Sequence, residues 1–502
     1  MRRFEETQLQ PTPTLQNGDM ANENSVSEAR TLVEALGRTL HAKLIETHVS
    51  WVLLGADTAW KIKKPVRLPF VDYSTLDLRR RYCEEELRLN RRLAPSLYLG
   101  VARITGTPLV PQLDGPGEVQ EYAVRMCRFP DGALFSEQLA AGTLRPEDVD
   151  RLAWLVAGFQ QRSPPTDAAE GFALPEHRRQ VALAALSGAS AVAVEAERAL
   201  LREWLETSAV TLAPLWTARR QSGAVREGHG DLHLDNLVSL AGGVEAFDCI
   251  EFDPALRCID VVEEIAFAVM DFSARGRNDF AFRLLNLWLD ISGDHAALPA
   301  LRFAVVYRAL IRAHVEHLRA PRSAAARCYL ETALAWTKPA QPRLSITHGL
   351  PGSGKTFASQ ALLERAGAIR LRSDVERKRL FGLRMLESSS DRRLELYDSG
   401  ATARTYGQLF AVARGALHAG YPVVLDAAFL RHGEREQAMM LARELAVPFA
   451  ILNCEVPQAV LQERLLARRN DASEADIAVL EGLQRKAEPL TAEELRYVVA
   501  GA

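Results

Sequence analysis

Two stretches of this chain carry side chains at spacings suited to chemistry on a phosphate. The first, Gly349-Leu350-Pro351-Gly352-Ser353-Gly354-Lys355-Thr356, fits the pattern GxxxxGK[ST]. Gly349, Gly352 and Gly354, with Ser353 between them, let backbone N–H groups turn toward an anion, and a helix starting at Lys355 would add its positive end. Lys355 would reach the β- and γ-phosphates of a nucleotide, and the Thr356 hydroxyl suits Mg²⁺. An apolar run, Leu344 to Thr347, precedes the glycines. Downstream, Tyr421-Pro422-Val423-Val424-Leu425-Asp426 ends an apolar strand in a carboxylate, which places Asp426 to support Mg²⁺ directly or through water. Asp374, in Arg372-Ser373-Asp374, follows a second strand. It could orient an acceptor hydroxyl or take its proton, or it could cap the next helix, as could Ser373. Arg464, Arg468 and Arg469 precede Asn470-Asp471-Ala472-Ser473. They read either as a lid, with Arg468 closing over a transferring phosphoryl group, or as a solvated helix face.

The second constellation runs from residue 61 to 260. His229-Gly230-Asp231-Leu232-His233-Leu234-Asp235-Asn236 contains D-x₄-N. In a catalytic loop of this spacing Asp231 accepts or orients the hydroxyl proton and Asn236 binds Mg²⁺. A hairpin with its turn at Ala241-Gly242-Gly243 returns the chain to Asp248, a second metal ligand. Upstream, Lys61 and Lys63 lie in phase on one strand, both able to hold α- and β-phosphates, and Glu84, Glu85 and Glu86 lie on the helix that follows. Lys61 is preferred slightly over Lys63, and Glu86 best fits the spacing to Leu93. His229 and His233 read as loop-bracing groups rather than metal ligands. Glu251, Asp253, Glu263, Glu264 and Asp271 read as a solvated charged face, or as a greeting for a cationic substrate.

These residues need elements to hold them. Residues 1–28 are polar and contain Pro11, Pro13, Asn17 and Gly18, which predicts a disordered tail. Leu32, Val33, Leu36 and Leu40 predict a helix over about 28–44. Alternation from Val49 to Leu53 and Ala59 to Lys64, around Gly55-Ala56-Asp57, predicts a hairpin. A charged helix follows over 76–93, then short strands near 101–104, 108–112 and 122–126, and mostly helix over 136–220. Helices return from 259 to about 336. Residues 337–342, containing Pro339 and Pro342, read as a linker. From Arg343 strands alternate with helices, which predicts a parallel sheet.

Residues 343–502 resemble the P-loop kinases of small molecules and nucleic-acid ends, on the segments GLPGSGKT, RSDVERKRLFG, VVLDAAFL and RLLARRNDAS. The resemblance implies ATP-dependent transfer to a hydroxyl. Residues 29–336 resemble the aminoglycoside phosphotransferases, a branch of the protein-kinase-like fold. HGDLHLDN stands for that family's catalytic loop, Asp248 for its metal-binding Asp, and Asp260 for a further, structural Asp. The departures are Cys249-Ile250 after Asp248 and the lack of a GxGxxG loop. Together the halves resemble a bacterial family of fused proteins. The expectation is an α+β bilobal kinase-like domain followed by an α/β P-loop domain. It implies a bifunctional, two-site phosphotransferase using ATP and Mg²⁺ on small-molecule hydroxyls. A nucleic-acid-end or nucleotide-sugar kinase, or a regulatory ATP-binding protein, are the alternatives.

Composition narrows the field. The 502 residues carry 61 Lys and Arg against 64 Asp and Glu, a net charge of −3, which disfavours a long nucleic acid as partner. Six cysteines without a CxxC pair fit a reducing, cytoplasmic setting rather than a disulfide framework. Val181 to Val194 lacks charge but is too short to span a bilayer. Arg2 and Arg3 are followed by Glu5 and Glu6 with no apolar run, so no signal peptide and no membrane contact are expected. Nothing in the pattern bears on oligomeric state.

Overall fold

The computed structural model describes residues 19–68, 71–321, 323–338, 341–389, 398–467 and 471–499. Of the expected tail, residues 1–18 lie outside the described residues. Residues 19–28 are helical, because the first helix runs Asp19–Thr39. Its apolar face buries Leu32, Val33 and Leu36, and that docking carries the helix back through polar residues.

The chain forms two compact units, residues 1–275 with 303–335, and residues 276–302 with 336–502. The first contains a six-stranded antiparallel sheet. In spatial order its strands are Lys43–Glu46, Ser50–Leu54, Thr58–Lys63, Val119–Cys127, Tyr98–Thr107 and Val110–Leu113. The expected hairpin is present in register, with Ser50 opposite Lys63 and Leu54 opposite Ala59. The strand Lys43–Glu46 was not expected; it replaces the end of the anticipated first helix and pairs with Ser50–Leu54. Alternation fills both faces of the sheet. Trp51, Leu53 and Ile62 pack with Leu32 and Leu36, while Val52, Leu54 and Ala59 pack with Cys83, Tyr98 and Phe247. The helix Leu76–Asn90 starts at Thr75, whose hydroxyl accepts from Leu78 N at 3.2 Å.

The rest of this unit is largely helical, including Pro146–Arg162, Pro175–Gly188, Glu195–Gln221 and Val261–Ala274. Between them the strand Val225–Glu227 pairs with Cys258–Asp260, and the hairpin Leu237–Leu240 with Gly243–Ala246. Asp260 anchors this region. Arg219 grips its carboxylate through two hydrogen bonds of 2.8 and 2.7 Å, and it caps the next helix by accepting from Val262 N at 3.1 Å.

The second unit holds a five-stranded, all-parallel sheet in the order Ile369–Arg372, Val423–Asp426, Leu344–His348, Phe449–Asn453, Val498–Val499. The helix Asn278–Ser292 belongs to this unit, on the far side of the expected linker. Asn286, buried, donates to Ala368 O at 2.9 Å and accepts from Arg370 N at 2.7 Å, so its side chain continues the hydrogen bonding of an edge strand. Pro339 and Ala340 of that linker lie outside the described residues. Among the described residues no helix is long and apolar enough to cross a membrane.

Candidate active sites

In the C-terminal unit the glycine loop lies between the central strand Leu344–His348 and the helix Lys355–Ala366. Gly349, Gly352 and Gly354 have φ of +149°, +85° and +96°, values a side chain resists. A Cβ on Gly349 would run into the Cys454 carbonyl, so this position also needs the absence of a side chain for space. Lys355 folds back over the loop and donates to Leu350 O at 2.8 Å. Asp426 ends the neighbouring strand and accepts from Ser359 Oγ at 3.1 Å; the same hydroxyl reaches Thr356 O at 3.1 Å. Ser359, which no sequence pattern marks, thus ties the carboxylate to the loop helix.

A cavity of about 990 Å³ is lined by Gly352, Ser353, Gly354, Lys355, Thr356, Asp374 and Asp426, together with Arg372, Arg377, Arg431 and Arg464. That is the upper end of the range for ligand pockets, about 300–1,000 Å³. The Thr356 hydroxyl and the Asp426 carboxylate, from residues that both line the cavity, are hard oxygen donors of the kind Mg²⁺ takes. The helix Ser373–Leu380 begins with Arg372 as its cap and no side-chain cap bond. Neither Ser373 nor Asp374 therefore serves the capping role offered to it. Asp374 instead accepts from Arg377 Nη1 at 2.8 Å and faces the cavity. Arg372 holds Asp471 at 2.7 Å. Burial opposes its charge, but Asp290, Asp426 and Asp471 outweigh that and raise its pKa. Arg464 reaches Gly352 O at 3.2 Å. Arg468 and Arg469 lie outside the described residues.

In the N-terminal unit the strand, helix and loop residues converge. Lys61 Nζ lies 3.0 Å from Glu86 Oε1 and 2.5 Å from Asp248 Oδ1. Lys63 also reaches Glu86, at 2.8 Å, and pairs with Glu251. The neighbours of Glu86 are occupied elsewhere: Glu84 pairs with Arg80 and Glu85 with Arg88 and Arg257. Of the two lysines only Lys61 lines the cleft, with Asp231, Asp248, Tyr98 and the turn residues Thr47 and Val49. Thr47 and Val49, in the turn before the hairpin, line this cleft and Gly55 does not. Arg128 donates to the Gly55 carbonyl at 2.8 Å.

Asn236 Nδ2 donates to Asp231 Oδ2 at 3.1 Å, and Asn236 O accepts from Phe247 N at 3.0 Å, which links the loop to the residue before Asp248. Asp248 itself has φ +64°, a left-handed conformation Asp tolerates, and its N–H donates to Tyr98 Oη at 3.2 Å. The amide oxygen of Asn236 and the carboxylate of Asp248 are again hard donors suited to Mg²⁺. The histidines brace the loop. His229 Nε2 donates to Phe247 O at 2.8 Å while Nδ1 accepts from Asp231 N at 3.2 Å. Burial lowers the His229 pKa to about 4, so the ring is neutral near pH 7. His233 Nε2 lies 3.3 Å from Asp231 Oδ2. The cleft cavity is about 60 Å³.

Of the acidic residues downstream, Glu251 lines the cleft and Asp253 is half-buried, while Glu263, Glu264 and Asp271 form no solvated face. Glu263 and Glu264 are buried: Glu263 accepts from Tyr307 Oη at 2.8 Å, and Glu264 from the N–H groups of His229 and Gly230. Asp271 accepts from Leu234 N at 2.9 Å and Tyr329 Oη at 2.5 Å. Asp253 caps a short helix through Ala255 N. Burial pushes the Glu264 carboxyl up to about 7. Charge count along the sequence could not show that these carboxylates are the acceptors holding the loop.

Residues 344–490 match the AAA domain family. An uncharacterized protein of Mycobacterium tuberculosis is 29% identical over 452 residues, covering 87% of this chain and 88% of its own length. One of Mycobacterium bovis matches to the same extent. Among solved structures, a gluconokinase from Sinorhizobium meliloti is 18% identical, with a TM-score of 0.23, over 32% of this chain and 83% of that one. The APS kinase of Mycobacterium tuberculosis, in complex with AMPPNP and APS, is 22% identical with a TM-score of 0.20, over 25% of this chain and 69% of that one.

Proposed function

We propose that this chain is a two-site, ATP-dependent phosphotransferase acting on the hydroxyls of small molecules, with the C-terminal site its principal one. The observation that carries the reading is the single cavity of about 990 Å³ that gathers the glycine loop, Lys355, Thr356, Asp426 and Asp374. The loop N–H groups and Lys355 bind and orient the nucleotide phosphates. Asp374 positions the acceptor hydroxyl and takes its proton. Arg464, beside the loop at Gly352, and Arg372, at the strand end, offset charge gathering on the transferring group. Thr356 and Asp426 would hold Mg²⁺, which when bound would neutralise phosphate charge. No covalent step on the protein is needed; positioning and charge complementarity supply the rate.

The N-terminal unit, read as aminoglycoside phosphotransferase-like, has the same parts in another order. Lys61, oriented by Glu86, holds phosphates; Asn236 and Asp248 hold Mg²⁺; Asp231 is the base. A second reading, in which this unit binds nucleotide to regulate, rests on two departures: Cys249-Ile250 follows Asp248, and the hairpin carries no GxGxxG loop.

The test is incubation with γ-labelled ATP and Mg²⁺ against pools of sugars and hydroxy acids, aminoglycosides, and 5'-hydroxyl oligonucleotides. Label in a small-molecule pool that disappears in Lys355→Ala supports the principal reading. Label confined to oligonucleotides replaces it with an end kinase. Nucleotide binding with no label in any pool replaces it with the regulatory reading.

A further inference from the structure

The second of the two in-phase lysines has its own work. Lys63 is 1% exposed, and neither it nor Tyr73 lines the cleft. Its ammonium donates to Glu86 Oε2 at 2.8 Å and to Glu251 Oε1. Tyr73 Oη donates to the same Glu251 oxygen at 2.5 Å. Glu86 therefore meets Lys63 through one carboxylate oxygen and Lys61 through the other. Lys61 in turn meets Asp248. The path Glu251–Lys63–Glu86–Lys61–Asp248 starts and ends on one short segment of chain, so strand, helix and loop are closed into a ring of charges.

The loop needs such fastening. Asp248 sits at a positive φ, a conformation that persists when its surroundings over-determine it. Backbone ties from Cys249 N to Asn90 Oδ1 (2.9 Å) and from Ile250 N to His229 O (3.1 Å) hold the loop on two sides. Glu251 supplies the third side. The ring holds two lysines against three carboxylates, one negative charge in excess, which suits a further cation at Asp248. Burial opposes the Lys63 charge, yet Glu251 and Glu86 outweigh it, and burial raises the Tyr73 hydroxyl, so both remain donors.

We propose that Lys63, Tyr73 and Glu251 form a buried clasp that positions Glu86 and the Asp248 loop for binding of a magnesium nucleotide at the N-terminal site. The proposal rests on reading that cleft as a nucleotide site. Lys63 and Tyr73 are positioning residues, acting through Glu86 and the loop without touching the ligand.

The test uses the full chain with Lys355→Ala/Thr356→Val/Asp426→Ala, which removes the cation and both Mg²⁺ donors of the C-terminal site, and reads ADP affinity with and without Mg²⁺ beside the melting temperature. Asp248→Asn is the control. Lys63→Met alone leaves two buried carboxylates short of a partner and should lower the melting temperature. Removing Glu251 as well takes away one of the two stranded carboxylates, so Lys63→Met/Glu251→Met should recover part of it, Glu86 keeping Lys61. In that double variant the Mg²⁺-dependent gain in ADP affinity should fall about tenfold or more, while affinity without Mg²⁺ stays. Tyr73→Phe, which removes only a hydroxyl, should lose part of the same gain and serves if the double variant does not fold. A double variant, or failing that a Tyr73→Phe variant, that binds ADP with Mg²⁺ like its parent overturns the clasp alone. A parent that binds none, or an Asp248→Asn variant that binds as the parent does, overturns the site and the clasp with it.

Discussion

Under the proposed function, Asp374 is the side chain that takes the acceptor's proton in the larger cavity. It is free of the helix cap, held by Arg377 at 2.8 Å, and faces the same space as Lys355. Asp374→Asn should lower the turnover of phosphoryl transfer by about 10²- to 10⁴-fold, the usual cost of a lost general base, with little change in the KM for ATP. A loss confined to KM would show a binding role instead. His229 makes a prediction in pH. Its folded pKa of about 4 lies below the ordinary value of 6.5. The unfolded chain therefore binds more protons between these values, and stability rises with pH across that window. The contribution is fully present above about pH 6.5 and is lost as pH falls toward 4, on the order of 3 kcal/mol from the shift. Urea midpoints of wild type and His229→Gln, measured from pH 7 to 4, should converge as pH falls; parallel curves would contradict the assignment.

At the level of strands, loops and helices, the glycine loop is the most exacting element. Gly349→Ala adds a Cβ against the Cys454 carbonyl at φ +149°. Backbone strain of about 1–3 kcal/mol should distort the loop. Nucleotide affinity at this site should fall at least tenfold by titration, with the melting temperature lowered only modestly. Arg219→Met acts on a different element. It strips the two-bond partner from the fully buried Asp260, and breaking such a pair costs about 3–5 kcal/mol. Arg178, 3.5 Å away, offsets part of this, so the lower end is expected in urea unfolding.

These elements also show what a sequence can disclose. The glycine loop was legible because strand, loop and helix occur in one local run. Asp231, Asn236 and Asp248 were legible because a short hairpin fixes their separation, and Glu86 because helical spacing chose it. The strand Lys43–Glu46 was not, since four residues continue a helical pattern as well as they start a sheet. Glu251 was not, because a carboxylate reads as solvated until a lysine from a distant strand is brought against it. Asn286 was hidden for a related reason: an amphipathic helix does not announce which sheet its face covers.

The whole chain is two units, and a segment, 276–302, belongs to the second unit though it interrupts the first in sequence. The net charge of −3 is compatible with the proposed two sites, in which Lys61, Lys355, Arg372 and Arg464 would supply positive charge locally. Phosphoryl transfer at the glycine-loop cavity is tested by the rate of label transfer from γ-labelled ATP to an accepting small molecule by wild type, Lys355→Ala and Asp231→Ala. Transfer to that acceptor should be lost in Lys355→Ala and kept in Asp231→Ala. Transfer that survives Lys355→Ala and vanishes in Asp231→Ala would contradict the account and move the chemistry to the N-terminal unit.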